Sequence, residues 1–242
     1  MASTSISEPR SNSILAALPE RDFDRLRPHL EPVDLPLGEA LYEAGSRMRQ
    51  LYFPINGIVS LLQVMADGDS AEIAVVGSEG VVGISMFMGG ETTPSRAVVQ
   101  SAARAYVAPA EVITAEFGRG GMLQYLLLRY TQALITQMSQ TAVCNRHHSV
   151  EQQLCRWILM SIDRLDQDED LLMTQELIAN MLGVRREGVT TAASKLQEAG
   201  LIRYSRGRIE VIERAKLEKR ACECYAVVKK EYERLNLLVS PK

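Results

Sequence analysis

The chain has 242 residues, with 27 Lys+Arg against 30 Asp+Glu and a formal net charge of -3, a length that exceeds one typical domain and fits two. No apolar run approaches the ~20 residues that a membrane-spanning helix needs, and the N-terminus lacks the basic start and apolar stretch of a secretory signal. Four cysteines, Cys144, Cys155, Cys222 and Cys224, all in the second half, predict a reducing cytoplasm rather than a disulfide framework.

The opening MASTSISEPRSNS is predicted to be disordered. Residues 14–30, ILAALPERDFDRLRPHL, set apolar residues at helical spacing, with Pro19 opening a second part. From residue 31 to about 117, short apolar runs alternate with turn signals such as Pro36-Leu37-Gly38-Glu39, Asp67-Gly68-Asp69 and Gly77-Ser78-Glu79-Gly80. Short strands with Gly-rich turns roughly every eight to twelve residues predict an antiparallel sandwich or barrel. The clearest hairpin joins 57–64 to 71–76 through Ala66-Asp67-Gly68-Asp69.

Residues 121–146 are the longest helical candidate, with Leu127, Thr131, Leu134, Met138 and Thr141 spaced by four and three. That stripe suits a helix pairing with its own copy through Leu127, Leu134 and Met138; a helix packed on the β domain would show a similar one. Leu123, Leu126, Tyr130 and Ile135 give it a second apolar face. Residues 150–165 are amphipathic with Leu154, Trp157, Ile158 and Ile162 inward, and the acidic run 166–170, DQDED, reads as a loop before the next unit.

Residues 173–210 carry the strongest signal. Thr174 with Gln175 and Glu176 is an N-cap and acidic first turn, Leu177, Ile178, Met181 and Leu182 repeat at helical spacing, and Gly183 stops the helix. A second helix follows, with Val189, Ala192, Ala193 and Leu196 on its apolar face, so the pair reads as a helix-turn-helix. Gly200-Leu201-Ile202 closes it, Arg203 to Tyr204 is strand-like, Ser205-Arg206-Gly207-Arg208 is a basic turn, and 209–212 returns as a strand, which makes a winged helix.

In such a module the N-terminal residues of the second helix meet base edges in the major groove. Arg185, Arg186 and Glu187 stand there: an arginine can take both acceptors of guanine, and a glutamate can accept from cytosine N4. Glu187 would equally suit the positive end of a solvated helix. Charge supports the first reading, because residues 1–170 carry 13 Lys+Arg against 21 Asp+Glu and residues 171–242 carry 14 against 9, or -8 and +5. Residues 215–238 predict one amphipathic C-terminal helix on Leu217, Ala221, Tyr225, Val228 and Tyr232.

Thr174, Ile178, Asn180, Leu182, Gly183, Arg186, Glu187, Val189 and the Gly200-Leu201-Ile202 ending resemble the helix-turn-helix signature of the Crp/Fnr transcription regulators. The β region resembles the cyclic-nucleotide-binding-like β-roll of the same family through Gly38-Glu39, Tyr52-Phe53-Pro54 with Gly57, and Gly80 leading to Gly83. The resemblance implies an α+β chain: a β-roll sensor domain over 14–118, a dimerisation helix over 119–148 and a winged helix-turn-helix over 149–242. It also implies a cytoplasmic homodimer on double-stranded DNA at a pseudo-palindromic operator, with RNA polymerase a further partner, no membrane and no enzymatic activity. Arg186 and Glu187 match base-contacting positions. Arg185, Thr190 and Thr191 would support or modify that readout, and Thr174, Arg206 and Arg208 would hold phosphates. Thr191 stands where the family usually has an arginine, which predicts an unfamiliar half-site.

Members that bind cyclic AMP hold the sugar with a glutamate just after a glycine and the phosphate with an arginine followed by Ser or Thr. Here Gly83 is followed by Ile84 and Ser85, and Arg96 by Ala97. Gly83, Ser85 and Arg96 are the effector candidates, Arg96 also reads as an ordinary loop charge, and cyclic AMP is not expected. Another small effector, or none, stays open. Residues 1–143 hold no cysteine for an N-terminal iron-sulfur cluster, and His29, His147 and His148 lie outside the predicted strands. Cys222 and Cys224 read as free thiols among charged helical residues, His147 and His148 as a hinge or surface turn, and no cofactor is expected. The rival readings are an effector-binding adaptor working through protein contacts alone, and a cupin-type metal enzyme, whose ligands the β region lacks.

Overall fold

The structure is a computed structural model describing residues 8–165 and 171–235. The acidic run 166–170 lies outside the described residues.

The N-terminal segment corrects the expected disorder from Pro9 onward. Asn12 is fully buried, and its Nδ2 donates to the carbonyls of Pro54 at 2.9 Å and Gly80 at 2.8 Å, while its Oδ1 caps α1 (Ser13–Ala16). Pro19 then opens α2 (Glu20–Leu26).

Seven strands build the β-roll: β1 (Glu31–Leu35), β2 (Ala40–Tyr42), β3 (Gln50–Pro54), β4 (Ile58–Val64), β5 (Ser70–Val76), β6 (Ser95–Ser101) and β7 (Ala103–Pro109). They form two antiparallel sheets, ordered β1-β7-β3 and β2-β6-β4-β5. The expected hairpin is β4 with β5, and its register shifts between Leu61 and Leu62. Gly57 approaches Ala103 so closely that an added Cβ would lie 2.6 Å from the Ala103 Cβ, and its φ is +65°, so only glycine fits there.

After α3 (Ala110–Gly118) runs α4 (Met122–His147). It packs on β5 through a two-way amide clamp: the Val75 N–H donates to Gln137 Oε1 at 2.8 Å, and Gln137 Nε2 donates to the Val75 carbonyl at 3.2 Å. Tyr130 fills the space above Gly80, where any Cβ would meet its ring at 2.2 Å. Leu127 and Leu134 are fully buried in the protomer's own core and Met138 packs against it. That departs from the pairing stripe expected from sequence: Leu127 and Leu134 are already buried within the protomer, and Met138 is half-buried against the same core. The exposed apolar residues of α4 include Tyr125, Leu128, Ile135 and Val143.

Ser149 opens α5 (Val150–Ile162) with a capping box to Gln152. Leu154, Trp157 and Ile158 are buried as expected, whereas Ile162 is half-buried. Two contacts tie the end of this helix to the β-roll. Gln100 Nε2 donates to Ser161 Oγ at 3.3 Å, and Arg164 Nε meets Glu79 Oε1 at 2.7 Å with both side chains buried. Burial works against the Arg164 charge, but Glu79 together with Tyr232 and Asp163 more than offsets it and holds the guanidinium pKa above its ordinary value.

The C-terminal unit comprises β8 (Leu171–Leu172), α6 (Gln175–Leu182), α7 (Arg186–Glu198), β9 (Ile202–Ser205) and β10 (Arg208–Val211), with the strands in the order β8-β10-β9. The single C-terminal helix expected from sequence is two, α8 (Arg214–Arg220) and α9 (Glu223–Arg234), because Ala221 and Cys222 are extended between them. The break turns the cysteines inward: Cys222 and Cys224 are buried against Cys144 of α4. Positions 236–238 of the expected helix lie outside the described residues.

Candidate nucleic-acid interface

Local chemistry fixes the two helices of the motif. Thr174 Oγ1 accepts from the Leu177 N–H at 3.2 Å and caps α6. Gly183 adopts φ +64° and ends α6, with the Val184 N–H returning to the Ala179 carbonyl at 3.0 Å. Arg185 is the N-cap of α7 in extended backbone. Ile178, Ala179 and Leu182 of α6 meet Val189, Ala192, Ala193 and Leu196 of α7 in one buried cluster. Leu177, expected inside, is exposed instead.

That packing leaves the opposite face of α7 in solvent. Arg185, Arg186, Glu187, Thr190 and Thr191 are all exposed. Arg186 Nε lies 3.9 Å from Glu176, a long and solvated pair worth little to stability. Glu187 has no ion pair among the described residues and sits in the first turn, where the helix dipole favours an anion. Thr190 Oγ1 donates to Gln175 Oε1 at 2.7 Å and also reaches the Arg186 carbonyl, and Thr191 Oγ1 donates to the Glu187 carbonyl at 2.9 Å. Both threonines therefore brace the helix face.

The wing is a two-residue hairpin in which Ser205 pairs with Arg208. Its loop residues Arg206 and Gly207 have φ of 52° and 80°, the signs of a type I′ turn. Arg206 is the one described non-glycine residue with positive φ. Asparagine or glycine would adopt that backbone more easily, so a long cation held there points to a use for the side chain. Across the strands Arg203 pairs with Glu210 at 2.6 Å, which leaves Arg206 at the tip.

These elements converge. Thr174, Gln175, Arg186, Tyr204, Ser205, Arg206 and Gly207 line one open notch between the starts of α6 and α7 and the wing tip. Three of the phosphate or base candidates from sequence, Thr174, Arg186 and Arg206, thus share one concavity. Arg208 stands on the neighbouring wing strand, exposed. Sequence reasoning missed Gln175 and Tyr204. Gln175 was read only as helix start, although it braces Thr190; Tyr204 was read only as strand, although its hydroxyl donates to the Met173 carbonyl at 2.7 Å and holds the wing to α6. A second groove, between the starts of α5 and α7, brings Glu187 and Thr191 beside Lys195, which sequence reading also passed over.

The effector candidates do not converge in the same way. Gly83, with φ +110°, opens a short 3-10 turn that includes Ser85. Arg96 on β6 meets Glu43 at 3.0 Å, and among the described residues no hydrogen bond or ion pair joins it to Gly83 or Ser85.

Comparison with known proteins agrees with both halves. A family model for the cyclic nucleotide-binding domain matches residues 32–119, and one for the Crp-like helix-turn-helix domain matches residues 152–220. The chain is 27% identical over 209 residues to a CRP-like cAMP-activated global transcriptional regulator of Mycobacterium tuberculosis, covering 81% of this chain and 90% of that one. The solved structure of FixK2 from Bradyrhizobium japonicum superposes with a TM-score of 0.69 at 16% identity, over 80% of this chain and 98% of that one. The c-di-GMP responsive global regulator CLP of Xanthomonas campestris gives 0.64 at 16% identity, over 80% and 99%. With a β-roll of the cyclic nucleotide-binding type leading into a Crp-like helix-turn-helix, the chain belongs to the Crp/Fnr family of transcription regulators.

Proposed function

We propose that the protein works as a homodimer that reads a pseudo-palindromic operator with α7 and does not respond to cyclic AMP. The observation that carries this reading is the exposed first turn of α7 beside the wing tip, with Arg186 and Arg206 across one notch. Arg186 and Glu187 read base edges, Arg185, Thr190 and Thr191 hold or modify that readout, and Thr174, Arg206 and Arg208 engage phosphates, which supply affinity without sequence choice. Two such surfaces related by a two-fold axis meet half-sites about one helical turn apart. In this reading residues 14–118 sense, 119–148 pair and 149–242 bind DNA.

The pairing surface is the outer face of α4. Leu128 and Ile135 are 51% and 54% exposed and seven residues apart, the interval of a helix seam, with Tyr125 and Val143 along the same helix. Against cyclic AMP stand Ile84 and Ser85 after Gly83, and the engagement of Arg96 by Glu43. Selection of bound sequences from a random DNA pool tests the reading. A two-fold-symmetric consensus is expected; retention of DNA without sequence preference at physiological salt would favour an adaptor that works through protein contacts.

A further inference from the structure

Four side chains from distant parts of the sequence meet where α4 ends and α8 gives way to α9. Cys144, His148, Cys222 and Cys224 place their ligand atoms all within 4.8 Å of one another. Cys144 Sγ is 3.5 Å from Cys222 Sγ, and Cys224 Sγ is 3.6 Å from His148 Nδ1. A tetrahedron built on ~2.3 Å zinc–sulfur and ~2.0 Å zinc–nitrogen bonds has edges of about 3.5 to 3.8 Å. Two opposite edges are thus already near the required length, and the others, none longer than 4.8 Å, need to close by about an ångström at most.

Three further features suit a cation. The other ring nitrogen of His148, Nε2, lies 3.4 Å from Glu223 Oε2, the carboxylate–histidine arrangement that orients a metal-bound imidazole. Cys222 and Cys224 stand at the start of α9, whose positive end favours thiolates. Arg156 is buried, forms no salt bridge among the described residues, leaves its Nε without a hydrogen bond, and bears electrostatically on Cys144 and Cys224 as well as on Glu72. A divalent cation held by three thiolates and a neutral histidine carries one net negative charge, which that guanidinium balances.

We propose that Cys144, His148, Cys222 and Cys224 form a structural zinc site that fixes the end of the long helix α4 to the C-terminal helices. The ligand set is three sulfurs and one imidazole, closed and mostly buried, the composition of structural rather than catalytic zinc. Binding exchanges the three thiol protons, released to solvent, for three zinc–sulfur bonds and needs no oxidant. Cys155, on α5, is buried outside the group and serves as the internal control.

The test uses the full chain, purified under reductant and reconstituted with Zn2+ or Co2+ alone. Expected are about one zinc per protomer and the intense visible bands of tetrahedral thiolate-bound Co2+. Cys222→Ser and His148→Gln lose both, with far-ultraviolet circular dichroism confirming that they fold, whereas Cys155→Ala keeps both. Glu223→Gln keeps the stoichiometry but weakens zinc about 10- to 100-fold in competition with a chromophoric chelator. Substoichiometric zinc in the reduced, reconstituted protein overturns the proposal. So does octahedral Co2+, or a Cys144–Cys222 disulfide in a protein whose reduced form takes up no metal.

Discussion

Under the proposed roles, Glu187→Ala separates base reading from phosphate holding. The side chain is exposed and has no ion pair among the described residues, so its removal costs the fold only the helix-dipole contribution, roughly 0.3 to 1 kcal/mol. Binding is where the loss appears: a base contact of this kind is worth about 1 to 3 kcal/mol of discrimination, or roughly 5- to 150-fold in Kd. Non-specific affinity stays nearly unchanged, because the variant loses no cation. Arg206→Ala behaves oppositely. It weakens operator and random DNA alike, and if Arg206 neutralises one phosphate the slope of log K against log salt falls by about 0.9. Fluorescence anisotropy on the selected operator and a scrambled duplex, at several salt concentrations, measures both. Equal losses on the two duplexes for Glu187→Ala would refute the assignment of α7 as the reading helix.

Placing a charge on the outer face of α4, by Leu128→Glu or Ile135→Glu, is expected to yield a folded monomer in sedimentation, whereas Leu134→Ala costs about 2 to 5 kcal/mol of stability. Two Glu variants that remain dimeric would exclude this face. Burial pushes the Glu72 carboxyl up to about 7 from an ordinary 4.5, so the native state holds its proton more tightly than the unfolded chain. Stability from this group is full below about pH 4.5, falls as pH rises to about 7 and is level above, a loss on the order of 3 kcal/mol. Glu72→Gln is expected to flatten that part of a denaturation series, and an unchanged slope would refute the burial argument. Calorimetric titration with cyclic AMP is expected to give no binding and operator affinity no response, and saturable binding would restore Arg96 as a phosphate ligand.

The helix-turn-helix was legible because every signal in it is local: the Thr174 cap, the Gly183 stop and the apolar repeats all act within a turn or two. The hairpin of β4 and β5 was legible for the same reason. The outward face of α4 was not. Leu127 and Leu134 have the same seven-residue interval as Leu128 and Ile135, and one residue of offset rotates a helix by about 100°, so spacing reveals a seam without saying which side the protomer's own core occupies. Asn12 reads as a polar terminal residue until the carbonyls of Pro54 and Gly80, far along the chain, are seen to need a donor. The cysteine group is the extreme case: Cys144 and Cys222 are 78 residues apart, and they meet only because the C-terminal helix breaks at Ala221.

The placement of α5 explains how a β-roll can bear on a reading head that it does not cover. Its C-terminal end is held to the roll by Gln100 on Ser161 and by the Arg164–Glu79 pair. Along its length it packs against α7 and α8, so a shift of α5 would carry α7, the proposed reading helix, with it. The helix-turn-helix also touches the roll near Gly183, where a Cβ would lie 3.6 Å from Ala71 on β5, a face different from the one Arg186 and Glu187 present. Ser60 Oγ is 2.6 Å from both Glu72 Oε2 and Gln100 Oε1, yet a hydroxyl has one proton to give. Both contacts are satisfied when a protonated Glu72 donates to Ser60 and Ser60 donates to Gln100, which in turn donates to Ser161. The neutral carboxyl at β5 therefore completes a hydrogen-bonded chain from the sheet to α5, whereas an ionised one leaves an acceptor facing an acceptor. In the proposed reading, a signal that repacked the sheet around Ser60 would act on the helix that packs against the helix-turn-helix, without needing to reach the notch itself.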